Sequence, residues 1–229
     1  MKISIIIPVH NEEATIIELL NKVNNQNSSK FDLEIIVVDD CSTDKTKILL
    51  NKNSNLYTKI IELQNNLGKG GAVREGLLKA SGEYVLFQDG DLEYDPNDYQ
   101  KIFNALNKNQ AEIVIGSRFL TPDNTNIYYF FNKLGNYLIT FLFNLLFRTK
   151  FTDIYSCYLC FRKDLINPRE LKSNGWEQQA EILALAVKTS ERHYEVPISY
   201  SGRSFEEGKK IKARHIFKVL SMIIKKRLF

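Results

Sequence analysis

Glu83-Tyr84-Val85-Leu86-Phe87-Gln88-Asp89-Gly90-Asp91-Leu92-Glu93 is the stretch on which the reading of the chain turns. Glu83 to Phe87 reads as a buried strand, and the apolar run stops where the acids begin. Side chains at i and i+2 of an extended segment share a face, which sets Asp89 and Asp91 side by side. Two carboxylates held that way repel each other unless a cation lies between them. Hard divalent ions such as Mg²⁺ take oxygen ligands and commonly use one or two carboxylates together with substrate phosphates. The stretch therefore reads either as a metal site that receives a nucleotide diphosphate or as an acidic turn, since Asp and Gly both favour turns.

Working outward, residues 3–7 (Ile-Ser-Ile-Ile-Ile) form a first strand before Pro8 and the polar start Asn11-Glu12-Glu13. Ile16, Ile17, Leu19, Leu20 and Val23 then follow helical spacing. Residues 33–38 are a second strand ending in Asp39-Asp40, with Ser42, Thr43 and Asp44 as candidate caps for the next helix. A third strand is expected near residues 59–61, then a glycine-rich turn and a helix beginning near Ala72. Downstream, Pro96 opens a helix in the position that favours proline, and residues 113–115 make a fifth strand. This alternation predicts an α/β fold with a parallel, doubly wound sheet. Such sheets bind ligands beyond the carboxyl ends of their strands. The polar clusters at residues 8–13, 39–44, 66–71, 89–93 and 116–118 all fall at that edge.

At 229 residues, with 44% hydrophobic and 25% charged, the chain has the size and composition of one large globular domain. Its net charge of +4 is modest, and no nucleic-acid partner is expected. The distribution says more. From Arg203 onward, Lys209, Lys210, Lys212, Arg214, Lys218, Lys225, Lys226 and Arg227 face only Glu206 and Glu207, a basic tail suited to phosphates or an anionic membrane surface. Cys157 and Cys160 have CxxC spacing, but no second pair or nearby histidine completes a zinc site, and they read as buried thiols on a strand. The odd cysteine count and the lack of a leader ahead of the first strand predict a reducing, cytoplasmic setting.

The second half changes character. In residues 127–150, Leu134, Leu138, Phe141, Leu142, Leu145 and Leu146 repeat at helical spacing, flanked by Lys133, Arg148 and Lys150. That fits either a core helix or a helix lying in a membrane interface. Residues 212–229 repeat the pattern with Ile216, Phe217, Val219, Leu220, Ile223 and Ile224 beside basic residues. Two such elements favour the interface. A spanning helix needs about 20 predominantly apolar residues, and no segment meets that need. The glycine-rich Asn66-Leu67-Gly68-Lys69-Gly70-Gly71-Ala72 allows close backbone approach ahead of a helix N-terminus, where anions bind, yet it matches neither a P-loop nor a dinucleotide fingerprint.

Together these pieces resemble the family 2 glycosyltransferases of the GT-A fold. Residues 8–13 are similar to the family's P-x-x-N-E, residues 39–44 to its D-D-x-S-x-D, and residues 66–76 to its N-x-G-x-G-x-A-x-x-x-G. Asp89-Gly90-Asp91 is similar to its D-x-D and Gly116-Ser117-Arg118 to its G-S-R. The C-terminal half, with Thr152-Asp153, residues 177–181 and 194–198, and Arg203 followed by Lys209 and Lys210, resembles the dolichol-phosphate mannose synthase branch. That branch usually ends in R-x-x-G-x-S-K; here Glu206-Glu207-Gly208-Lys209-Lys210 follows Arg203, so either lysine is a match.

The resemblance implies two halves of one GT-A domain: residues 1–126 for the nucleotide-sugar and residues 151–211 for the acceptor. It implies that Pro8, Val9, Glu12, Asp40, Lys69, Asp89, Gly90 and Asp91 hold the donor, a nucleotide-sugar of the GDP-mannose or UDP-glucose type. Asp89, Asp91 and Glu93 would bind Mg²⁺ or Mn²⁺, and Asp91, Arg118 and Arg203 would be catalytic. A phosphomonoester acceptor is already an anion, its second pKa being about 6, and needs cations rather than a base: Arg118, Arg203 and Lys209 or Lys210. Asp153 and Glu181 are the fallback bases for a hydroxyl acceptor, and otherwise structural residues or residues that orient the arginines. The expected function is an inverting transfer to a polyprenyl phosphate at the cytoplasmic face of a membrane, reached by interfacial helices or an integral-membrane partner. The alternatives are transfer to a saccharide hydroxyl, a catalytically silent nucleotide-binding or membrane-scaffold protein, and a nucleotidyltransferase of related fold.

Overall fold

The computed structural model describes residues 1–120, 125–126, 130–202 and 215–228. Its frame is a seven-stranded sheet. β1 (Lys2–Val9) and β2 (Asp32–Asp39) are near-continuous Ile and Val runs, buried through residues 3–7 and 33–39, as strands covered on both faces must be. β3 (Lys59–Glu62) pairs parallel to β2, and β4 (Tyr84–Phe87) pairs parallel to the other side of β1. The chain thus moves outward from β1 to β3 and returns across β1, which leaves a crevice where the strand order reverses.

Beyond β4 the sheet departs from the simple alternation. β5 (Ile113–Ser117) is not the neighbour of β4, because β7 (Leu159–Arg162) inserts between them and runs antiparallel to both. β8 (His193–Pro197) closes that side, parallel to β5. The sheet is therefore mainly parallel, with one antiparallel strand contributed from the second half. β6 (Thr125–Asn126) and β9 (Tyr200–Ser201) form a separate two-stranded ribbon.

Helices α1 (Ile16–Asn24), α2 (Thr46–Lys52), α3 (Gly68–Lys79), α4 (Tyr99–Asn109) and α6 (Gln178–Ala186) flank the sheet. Of the three candidate caps only Asp44 caps α2, its carboxylate accepting from Thr46 N–H at 2.9 Å. Ser42 N–H instead donates to Asp39, and Thr43 N–H to Asn11. Pro96 opens a 3₁₀ turn, Pro96–Asp98, that leads into α4. α3 starts at Gly68 rather than near Ala72. Its glycines fit a helix start because a neighbouring backbone lies against them: a Cβ on Gly68, whose φ is +77°, would meet Asn174 O at 2.6 Å.

α5 (Phe130–Phe147) and α7 (His215–Leu228) are apolar on two sides. α5 buries Ile139, Thr140 and Phe143, yet leaves Leu134, Leu138, Phe141 and Leu145 between 52% and 65% exposed. α7 packs on α5 and α6 and buries Val219, Met222 and Ile223, with Phe217 76% and Leu228 69% exposed. No helix among the described residues is long and apolar enough to cross a membrane.

At the end of the sheet remote from the crevice, Glu34 is 2% exposed and ties three segments. Its carboxylate accepts from Ser4 Oγ at 2.5 Å, from Ser81 N–H at 2.7 Å and from Lys59 Nζ at 2.7 Å. Burial alone would raise its pKa, but the Lys59, Ser4 and Ser81 bonds outweigh it and hold the value at about 2 against the ordinary 4.5. A depressed carboxylate gives stability that is complete above its ordinary pKa and is lost as pH falls through the folded value. Unfolding free energy should therefore drop between pH 5 and pH 2, and Glu34→Gln should flatten that part of the profile in urea melts. Glu34→Ala, which takes the acceptor from the buried Ser4 hydroxyl and from the Lys59 and Ser81 donors, should cost about 1–3 kcal/mol at neutral pH.

Candidate active site

A cleft of about 330 Å³ opens at the carboxyl ends of β1 and β4. Pro8, Val9, His10 and Glu12 line it from the end of β1, Asp40 from the end of β2, and Asn66, Gly68 and Lys69 from the start of α3. Asp89, Gly90, Asp91 and Glu93 supply the wall beneath β4, and Gly175, Trp176 and Tyr200 arrive from the second half. Every residue expected at the donor lies here.

Asp89 and Asp91 are 21% and 9% exposed. The ammonium of Lys69 pairs directly with Asp89 and stands 5.1 Å from the ring of Trp176. Burial works against the charge on Lys69, but Asp89 outweighs it and raises the lysine pKa above its ordinary value. The thiol of Cys157 also meets Asp89; burial first, and then that carboxylate, push its pKa up. Cys157 is thus a buried neutral donor next to the acids, just ahead of β7, and Cys160 is buried within that strand.

The turn is held from below. Gln88 is fully buried, and its side-chain oxygen accepts from the hydroxyls of Tyr99 and Tyr158, both at 2.8 Å. Its side-chain nitrogen donates to Asp89 O at 3.0 Å. Gly90 is required by space: a Cβ there would meet Val9 Cγ1 at 2.9 Å and Pro8 O at 3.3 Å. Asp40 accepts from Leu67 N–H at 2.7 Å, which fixes its carboxylate at the mouth of the α3 turn. Asn11 and Cys41, just past β1 and β2, hold φ of 57° and 60°, a left-handed conformation that costs a non-glycine residue about 1 kcal/mol or more.

Asp89, Asp91 and Glu93, the residues expected at the metal, all line this cleft, and among the described residues no group of three or more His, Cys, Asp or Glu side chains is already arranged to hold an ion. The Glu93 carboxylate accepts from the hydroxyl of Tyr200 at 2.7 Å. Glu181 is not brought to the cleft; it lines a separate hollow between α6 and α7. Arg118 is 7% exposed and forms a two-pronged pair with Asp153 at 2.7 and 2.9 Å, its guanidinium 5.1 Å from the Tyr200 ring. It lies behind the cleft rather than on its lining. Asp153 is fully buried and committed to that pair. Arg203, Lys209 and Lys210 lie outside the described residues. Trp176 and Tyr200 went unread in the sequence, although the chain's single tryptophan in the polar run Ser173-Asn174-Gly175-Trp176 was a signal that could have been followed.

The family model for Glycosyl transferase family 2 matches residues 4–167. The chain belongs to that family. Among curated proteins this family 2 chain is similar to the dolichol-phosphate mannosyltransferase of Pyrococcus furiosus, 32% identical over 230 residues, 97% of this chain and 63% of the relative. It is also similar to the dodecaprenyl-phosphate galacturonate synthase of Rhizobium johnstonii, 29% identical over 176 residues, 75% of this chain and 51% of the relative. The chain thus spans between half and two thirds of these relatives' lengths. Its fold matches that of glucosyl-3-phosphoglycerate synthase from Mycobacterium tuberculosis, solved with Mn²⁺, UDP and glucosyl-3-phosphoglycerate, with a TM-score of 0.71 at 18% identity over 100% of this chain and 80% of that one. The family 2 chain therefore has the GT-A fold.

The support beneath the acids is open to test. Gln88→Leu would leave the Tyr99 and Tyr158 hydroxyls buried without an acceptor and release the Asp89 backbone. Urea melts should show a loss of about 2–4 kcal/mol, with weaker nucleotide binding by calorimetry.

Proposed function

We propose that this chain is an inverting glycosyltransferase that uses a divalent cation to move a sugar from a nucleotide-diphosphate sugar to a polyprenyl phosphate. The observation that carries the proposal is the convergence of Asp89, Asp91, Asp40 and Lys69 on one cleft at the strand-order reversal. Asp40 and Glu12, beside Pro8, are disposed to take the base and ribose. Asp89 and Asp91 are hard oxygen donors on the same wall, a set that suits Mg²⁺ or Mn²⁺ with phosphates completing the shell. When bound, such an ion neutralises charge on the departing diphosphate. Lys69 sits at the same carboxylate and brings a positive charge toward that diphosphate. In-line attack from the opposite side inverts the anomeric centre.

A hydroxyl acceptor would need a carboxylate base. Asp153 is locked to Arg118, and Glu181 lies in another hollow, so neither fallback base is positioned for that duty. An acceptor phosphate needs none. Relatives named for dolichol-phosphate, dodecaprenyl-phosphate and dolichyl-phosphate support this acceptor class. Arg203 with Lys209 or Lys210 is proposed to position the acceptor phosphate, with Arg118 behind the cleft contributing field rather than contact.

The outward faces of α5 and α7 are proposed to lie in a membrane interface on the cytoplasmic side. Leu134, Leu138, Phe141 and Leu145 make one exposed apolar stripe, Phe217, Ile224 and Leu228 a second, and Lys218, Lys225 and Arg227 accompany the latter. Exposed apolar surface next to cations is the pattern of an interfacial helix.

Three outcomes are expected. Purified protein should glycosylate a polyprenyl phosphate in vesicles but not a soluble saccharide; the reverse result would overturn the acceptor assignment. Asp91→Ala should abolish turnover while leaving the far-ultraviolet circular dichroism unchanged, and unaltered turnover would remove the metal role. Phe141→Glu combined with Leu145→Glu should lower vesicle co-sedimentation about tenfold or more without a large change in melting temperature.

A further inference from the structure

Glu181 is 1% exposed, yet it carries a carboxylate into the protein from α6. Its oxygens accept from Lys172 N–H at 3.2 Å, from Ser173 N–H at 2.8 Å and from the ammonium of Lys226, in the last turn of α7, at 2.8 Å. Lys226 is turned inward and is only 20% exposed. A buried carboxylate is retained only where partners compensate its desolvation, and here they come from two separate parts of the chain.

The segment that Glu181 grips continues directly into the wall of the donor cleft. Gly70 N–H donates to Asn174 O at 2.8 Å, and Arg74 donates to Asn174 Oδ1 at 3.1 Å and to Leu171 O at 3.4 Å. The Tyr155 hydroxyl donates to Trp176 O at 3.1 Å. The ring of Trp176 lies against Lys69, and Lys69 holds Asp89. Polar contacts and packed groups therefore run from α7 to the acidic pair through named partners. Tying the turn at residues 172–173 alone would need only a neutral acceptor. The charge on Glu181 is what recruits Lys226.

We infer that Glu181 is a positioning residue of the donor cleft: it fixes the wall that carries Trp176, and through Lys226 it makes that position depend on how α7 is seated. This rests on the donor-cleft reading above. It also accounts for why Glu181 stands in the sequence like a second acid yet does not reach the cleft.

Trp176 is the chain's single tryptophan, so its emission reports on the wall directly. Lys226→Met keeps the aliphatic stem and removes the ion pair, Lys226→Arg keeps the charge, and Ser221→Ala alters an exposed residue of the same helix. Each would be titrated with UDP and with GDP in the presence of MnCl₂, following Trp176 emission and calorimetric affinity, with circular dichroism as the check on folding. Lys226→Met should shift the emission and weaken nucleotide binding about fivefold or more. Lys226→Arg and Ser221→Ala should stay close to the wild type. Glu181→Gln provides a second route and should reproduce Lys226→Met. Wild-type emission and affinity in either Lys226→Met or Glu181→Gln would overturn the inference. Failure of the wild type to bind either nucleotide would count instead against the donor-cleft reading, and the emission of Lys226→Met would still decide whether the wall depends on Lys226.

Discussion

The pairing of Lys69 with Asp89 resolves the constraint that organises this molecule, which is that two carboxylates have been set together at the edge of a low-dielectric sheet. Asp91 is 9% exposed and the Asp89 side chain 21%, and partial burial strengthens the interaction of each with nearby charge. Charge must be supplied, and the start of α3 supplies it. The support then becomes layered. Gln88 and two tyrosine hydroxyls brace the turn from inside the sheet, Gly90 lets it close against Val9, and Trp176 covers the lysine.

The glycines at the start of α3 illustrate how one sequence feature can serve a different contact from the one its chemistry first suggests. Small residues before a helix N-terminus invite an anion. Here Gly68 and Gly70 are met by the backbone of Ser173 and Asn174, and the amide of Gly70 is already given to a carbonyl. Their smallness joins the two halves of the chain, and in doing so carries Trp176 to the cleft. The Arg118–Asp153 pair is a second junction of the same sort. It is buried, bidentate and backed by Glu195, which accepts from the Thr152 and Asp153 amides. Breaking one member of such a pair is costlier than the pair itself is stabilising.

Much of this was legible in the sequence, for physical reasons. Strands buried on both faces must be continuous apolar runs, so their ends, and the polar residues beyond them, could be located from composition along the chain. On that ground Pro8, Glu12, Asp40, Lys69 and Asp89 belong to one edge of the sheet, where the cleft lies. The insertion of β7 was not legible, because Leu159-Cys160-Phe161 has the same apolar signature whichever neighbours it takes and whichever way it runs. Tyr200 and Trp176 reach the cleft only through tertiary packing of the second half. Glu181 reads as an acid beside other polar residues; which way a helix turns such a side chain is decided by its packing partners. Arg203, Lys209 and Lys210 lie outside the described residues, and their expected roles stand on the resemblance alone.

The antiparallel β7 also has a bearing on how the chain is born. As the polypeptide leaves the ribosome, β1 to β4 can assemble from nearby contacts, but the outer side of β4 has no permanent neighbour until residue 162 has emerged. For that interval an apolar strand presents unpaired amides and carbonyls, the template on which chains aggregate or exchange segments. Closure across so long a sequence separation is also slow. Nascent chains stalled between β5 and β7 should therefore be the species most in need of a chaperone.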